Sequence, residues 1–174
     1  MSERLPQISV IGGGRAGPEL LELAEGVGRG LAEAGAVLVC GGRGGVMEAA
    51  SRGARGAGGV VIGILPGLSP SEANEFVTHT VATGIGHARN LAVVASGDAV
   101  VAIGGEWGTL SEIALARRLG HPVVALRSWS LDNPAVAEMG LTEAEDAAHA
   151  VELALAAADG PAPSPQRGRD PVDR

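Results

Sequence analysis

The sequence predicts an α/β fold: a doubly wound, mostly parallel sheet with helices on both faces. Three observations carry the prediction. Apolar runs of strand length recur at residues 7–11, 36–40, 60–65, 99–103 and 122–126. Three of these runs break into glycine-rich turns, Gly12-Gly13-Gly14, Gly41-Gly42-Arg43-Gly44-Gly45 and Gly104-Gly105. Each of those turns is followed by residues with helical periodicity. Unbroken apolar strands suit a parallel sheet covered on both faces, and strand, glycine turn and helix in repetition is the pattern of such a sheet. Right-handed crossovers then bring the turns after Ile11, Val39 and Ile103 to one edge, the carboxyl end, where open α/β sheets bind ligands.

The first strand, residues 7–11, leads into Gly12, Gly14 and Gly17, spaced G-x-G-x-x-G. The next helix carries Leu20, Ala24, Val27 and Leu31 as an apolar stripe. A dinucleotide site would require an acid at the end of the second strand to bind ribose. That strand ends in Cys40-Gly41-Gly42, which disfavours NAD and leaves the first turn, with Gly13 and Gly14, as a strand-to-helix bend able to touch a phosphate. The second glycine turn opens a helix to about Ala57, closed by Gly58-Gly59, and residues 60–65 form a third strand ended by Pro66-Gly67. Residues 66–75 read as a loop and residues 76–80 alternate like a short strand. A helix runs from residues 84–90 to about Ser96. Residues 99–103 are the central strand and 107–119 its helix, with Arg117 and Arg118 placed where the dipole favours cations. Thr142-Glu143-Ala144-Glu145 has capping-box spacing ahead of a terminal helix marked by Ala147, Val151, Leu155 and Ala158. The expected organisation is one domain over residues 1–158 and a disordered, proline-rich tail over 159–174.

Composition narrows the function. A chain of 174 residues with 45% hydrophobic and 19% charged content can bury one good core. A formal charge of −7 argues against a nucleic-acid or anionic-membrane binder. One cysteine, Cys40, excludes an internal disulfide, and no basic-then-apolar leader precedes Ile8, so a cytoplasmic protein is expected. The four histidines are scattered without ligand spacing, so no metal site is expected.

The stretch with most chemistry is Gly104-Gly105-Glu106-Trp107-Gly108-Thr109-Leu110-Ser111-Glu112. A glycine turn lets an anion approach the free amides of a new helix, so Gly105, Gly108 and Thr109 form a candidate phosphate cradle. Glu112 in the first turn is a candidate carboxylate, and Arg89 a bidentate donor to phosphate or ribose. Glu106 adds negative charge within the turn. It would repel a phosphate unless it points away, binds a ribose hydroxyl or meets a metal. Trp107 either stacks on a ligand ring or covers the turn. For Arg43, phosphate contact and solvated charge are equally open.

These motifs resemble the Lonely Guy family, often labelled lysine decarboxylases. Gly41-Gly42-Arg43-Gly44-Gly45-Val46-Met47 is similar to its G-G-G-x-x-G-[LV]-M loop, and the 104–112 stretch to P-G-G-x-G-T-x-x-E, with Arg89 where the family has an Arg-Lys pair. The resemblance implies a Rossmann-like fold, a homodimer or homotetramer, and a small phosphorylated ligand held by Gly13, Gly14, Gly42, Arg43, Gly44, Gly45, Met47, Gly104, Gly105, Glu106, Trp107, Gly108 and Thr109. It implies no lysine decarboxylation. Better-known members cleave the N-glycosidic bond of nucleoside 5′-monophosphates without a required cofactor, with the residues matching Arg89 and Glu112 taken as catalytic. This chain departs at Gly104-Gly105-Glu106 and at Asn90, which stands in place of the lysine. Those departures resemble a sister branch containing molybdenum cofactor carrier proteins, for which the ligand would be a phosphorylated pterin or another nucleotide, bound without turnover.

Overall fold

The computed structural model describes residues 4–129 and 141–160. Within them the strands are β1 (Gln7–Gly12), β2 (Val37–Cys40), β3 (Val61–Leu65), β4 (His79–Ala82), β5 (Ala99–Ile103), β6 (Val123–Leu126) and β7 (Leu141–Ala144). The helices are α1 (Pro18–Glu33), α2 (Val46–Gly56), α3 (Asn90–Ser96), α4 (Trp107–Arg118) and α5 (Ala147–Ala158), with 3-10 turns at Pro70–Glu72 and Gly86–Arg89. The sheet has seven strands in the order β4-β3-β2-β1-β5-β6-β7, and every neighbouring pair is parallel. This is the Rossmann-like α/β fold the apolar runs predict. Strand order reverses between β1 and β5, so a crevice opens at their carboxyl ends.

Alternation along the central strands feeds two cores. Ile8, Val10, Leu38, Val101 and Ile103 pack with Ala24, Val27, Leu31, Ala50 and Ala154 from α1, α2 and α5. Ile11, Val39, Val100 and Ala102 face the other way, onto Val93, Val94, Ile113 and Ala116 from α3 and α4. Ser9 also faces α3, where its hydroxyl donates to the Val93 carbonyl at 2.6 Å and so satisfies a buried polar group. Helices α1 and α2 approach so closely that a Cβ on Gly28 would overlap the Ala50 carbonyl, and one on Gly53 the Glu25 carbonyl.

Three expectations change. The strand placed at residues 76–80 is His79–Ala82: Asn74 accepts from Phe76 N–H through its side chain and from Val77 N–H through its carbonyl, holding the earlier residues in a turn. The loop at 66–75 contains a 3-10 turn capped by Ser69. Thr142-Glu143-Ala144 is edge strand β7, not a capping box, and α5 is capped instead by Asp146, whose side chain accepts from His149 N–H at 2.9 Å. The proposed tail lies, from residue 161, outside the described residues. No helix among the described residues is long and apolar enough to cross a membrane.

Candidate functional site

A pocket of about 110 Å³ lies in the crevice between β1 and β5, lined by Gly12–Gly14 of the first turn, Gly41 of the second with Met47 of α2, and Glu106 of the third with Gly108, Thr109 and Glu112 of α4. His87, Arg89 and Asn90, around the junction of the 3-10 turn and α3, form another wall. The structure thus brings Gly13, Gly14, Met47, Arg89, Glu106, Gly108, Thr109 and Glu112 together.

Arg89 reaches the pocket through a gap left by Gly41. A Cβ there would stand 2.5 Å from Nη1 and 2.6 Å from Nη2 of the guanidinium, so a side chain at the position where a dinucleotide fold places its ribose acid would force Arg89 to move. A cation occupies that ground instead. Arg89 is 8% exposed, its Nε has no hydrogen-bond partner, and among the described residues it joins no ion pair. A buried charge left unpaired is costly and calls for an anionic partner. Burial lowers its pKa, while Glu112 acts in the opposite direction.

Glu112 is 7% exposed. Burial pushes its carboxyl up to about 7, against the pull of Arg89. Near neutral pH it is therefore divided between carboxylate and carboxylic acid, and the acid form can donate a hydrogen bond to an oxyanion.

The three glycine turns are not equally open. Pro18 begins α1 and has no N–H to offer. The first amide of α2, Val46 N–H, donates to the Gly13 carbonyl at 3.1 Å. At α4 the first intrahelical bond runs from Leu110 N–H to the Glu106 carbonyl, and no side chain caps the helix. The amides of Trp107, Gly108 and Thr109 are left for a ligand.

Other predicted residues lie off this pocket. Asn74 N–H donates to the Gly42 carbonyl at 2.9 Å, and its side-chain amide donates to the Arg43 carbonyl at 3.0 Å. Arg43 itself pairs with Glu72 at 3.0 Å. Gly44 and Gly45 hold the bend into α2, and Gly104 sits over Leu20. Gly105 packs under the indole of Trp129, which meets Trp107 with ring centroids 5.6 Å apart. Trp107 is 78% exposed.

Six lining residues are not among the predicted ones: Val10, Ile11, Gly12, Gly41, His87 and Asn90. A signal existed for the last two, because they flank Arg89 in the segment His87-Ala88-Arg89-Asn90. Gly41 lay inside the quoted glycine motif, but only the packing shows that it makes room for an arginine.

Comparisons with known proteins agree with the fold. A family model described as the SLOG cluster4 family matches residues 5–157. An uncharacterized protein of Archaeoglobus fulgidus is 46% identical over 124 residues, which are 71% of this chain and 82% of that one. The molybdenum cofactor binding protein of Rippkaea orientalis superimposes with a TM-score of 0.83 at 38% identity, covering 89% of this chain and 98% of that one. The molybdenum cofactor carrier protein of Chlamydomonas reinhardtii gives 0.77 at 33% identity, over 87% and 98%. With the model matched over nearly the whole described chain, this protein belongs to the SLOG cluster4 family.

Proposed function

We propose that the protein is a non-catalytic carrier of a phosphorylated pterin of the molybdenum cofactor class, gripping it by the phosphate. The observation that carries this reading is the buried Arg89 guanidinium, unpaired among the described residues, facing the same pocket as the open first turn of α4. Arg89 supplies charge and two parallel donors, the amides of Gly108 and Thr109 supply the fixed dipole, and the acid form of Glu112 supplies a further donor. The likeness to two molybdenum cofactor proteins favours a pterin as the body attached to that phosphate.

A second reading is phosphoribohydrolase action on a nucleoside 5′-monophosphate, favoured by one observation: Arg89 and Glu112 line the same pocket. In that chemistry positive charge builds on the ribose ring as the N-glycosidic bond breaks, and Glu112 as carboxylate would stabilise it and orient water. Its raised pKa works against this role at neutral pH, because part of the population carries a neutral carboxyl.

Incubation with AMP, GMP and a pterin phosphate separates the two. The carrier reading expects saturable binding with no free base released, and Arg89→Ala is expected to weaken binding at least about tenfold, as loss of a buried charge-assisted contact does. Release of base that disappears in Glu112→Gln would establish the hydrolase instead. Binding unchanged in Arg89→Ala would remove both.

A further inference from the structure

The pocket is graded in charge from floor to mouth. Arg89, Thr109 and Glu112 are 8%, 2% and 7% exposed, whereas Glu106 is exposed and lies at the opening. Glu106 is the N-cap residue of α4 but does not cap it. Its side chain turns instead across the crevice, with Cγ and Cδ each 3.5 Å from where a Cβ on Gly13 would stand. Among the described residues its carboxylate makes no ion pair, and it lines the same pocket as Arg89. An anion therefore enters past a carboxylate to reach a cation.

That arrangement disfavours a bare oxyanion and suits a ligand with two unlike ends. The phosphate goes to the floor, where the donors are. Whatever remains at the mouth must offer hydrogen-bond donors to Glu106, or the carboxylate repels the ligand it guards. A carboxylate at the mouth matches a planar ring with an N–H edge, from which it accepts two parallel N–H bonds.

We propose that Glu106 is the specificity residue of this pocket and that it reads the aminopyrimidinone edge, a ring N–H beside an exocyclic amino group, of a phosphorylated bicyclic ligand. Pterins and guanine share that edge. Adenine presents a ring acceptor next to its amino group, which faces a carboxylate unfavourably. The proposal rests on the phosphate-binding reading above and adds to it the chemical identity of the other end.

Calorimetric titration with hydroxymethylpterin phosphate, GMP, AMP and ribose 5-phosphate tests it, in wild type and in Glu106→Gln. The expected result is a preference of about tenfold or more for the pterin phosphate and GMP over AMP, falling to within about twofold in Glu106→Gln, while ribose 5-phosphate binds the variant more tightly than wild type. Equal binding of GMP and AMP by wild type overturns the proposal and leaves the phosphate site standing. A preference that survives Glu106→Gln also overturns it, since the edge is then read elsewhere. Failure of all four ligands to bind removes the phosphate reading and this proposal together. Loss of GMP binding on deleting its 2′- and 3′-hydroxyls, with no preference over AMP, assigns Glu106 to the sugar and likewise overturns it.

Discussion

At the scale of single residues, Glu112 and Arg89 combine two opposing requirements. Each is buried deeply enough to disfavour its charge, yet each faces the other's field across one pocket. Glu112 holds its proton more tightly in the folded chain than an ordinary glutamate does. Between about pH 4.5 and about 7 the folded state therefore carries more protons than the unfolded state, and stability is lost as pH rises through that window. Replacement by glutamine removes this contribution. Chemical denaturation at pH 5 and pH 8 is expected to show Glu112→Gln gaining relative to wild type at the higher pH, by on the order of 3 kcal/mol. A constant difference across that range would show that Glu112 titrates normally. The pairing of these two residues was legible in the sequence, because a glycine turn and an arginine at family spacing placed them. The role of Gly41 was not, since a missing side chain says nothing about which group fills its space.

At the scale of elements, the glycines of α1 and α2 act in packing. Gly28 and Gly53 sit where the two helix backbones touch, and a methyl group at either would have to push a whole helix away. Gly28→Ala and Gly53→Ala are each expected to cost about 1–3 kcal/mol in a denaturant titration. Gly56→Ala, in the last turn of α2 with nothing within 4 Å of the added methyl, is expected to be neutral or to stabilise by about 0.5–1 kcal/mol. A loss in Gly56→Ala as large as the other two would mean that helix close approach is not the reason. The glycine turns divide in a similar way. Gly42–Gly45 is engaged by Asn74, Glu72 and the first turn, and of the three following helices α4 is the one whose first amide is neither missing, as at Pro18 of α1, nor engaged by Gly13, as at Val46 of α2. Sequence treats the three turns alike, because the contacts that close one of them come from residues about 30 positions away.

At the scale of the whole molecule, several large apolar side chains are exposed on β4, α3 and the loops before α3. Leu68 lies against Gly84, next to Ile85, and Val81 and Leu91 are exposed on β4 and α3. Such a surface is commonly covered by a partner, and the family resemblance implies a homodimer or homotetramer. Sedimentation is expected to give a mass that is a multiple of 17.3 kDa, and the double variant Ile85→Asp, Leu91→Asp is expected to shift it toward the monomer. A monomeric wild type at micromolar concentration would assign this surface to another use. Edge strands also belong to this scale. β4 and β7 each have one neighbour and exposed side chains. They lack the apolar runs that marked the buried strands, which is why one was misplaced by three residues and the other read as a helix cap.

By itself the sequence determined the parallel sheet, the helices between its inner strands, the edge on which the pocket opens, and the arginine and glutamate that line it. Those features follow from local periodicity, from apolar runs buried on both faces, and from glycines where the chain must turn sharply. Only the tertiary structure decided which turn stays open, that Gly41 admits a guanidinium where related folds place an acid, and that Glu106 leans across Gly13 at the mouth. Each of these is a contact between segments far apart in the chain, and no local pattern encodes the direction in which a side chain crosses a crevice.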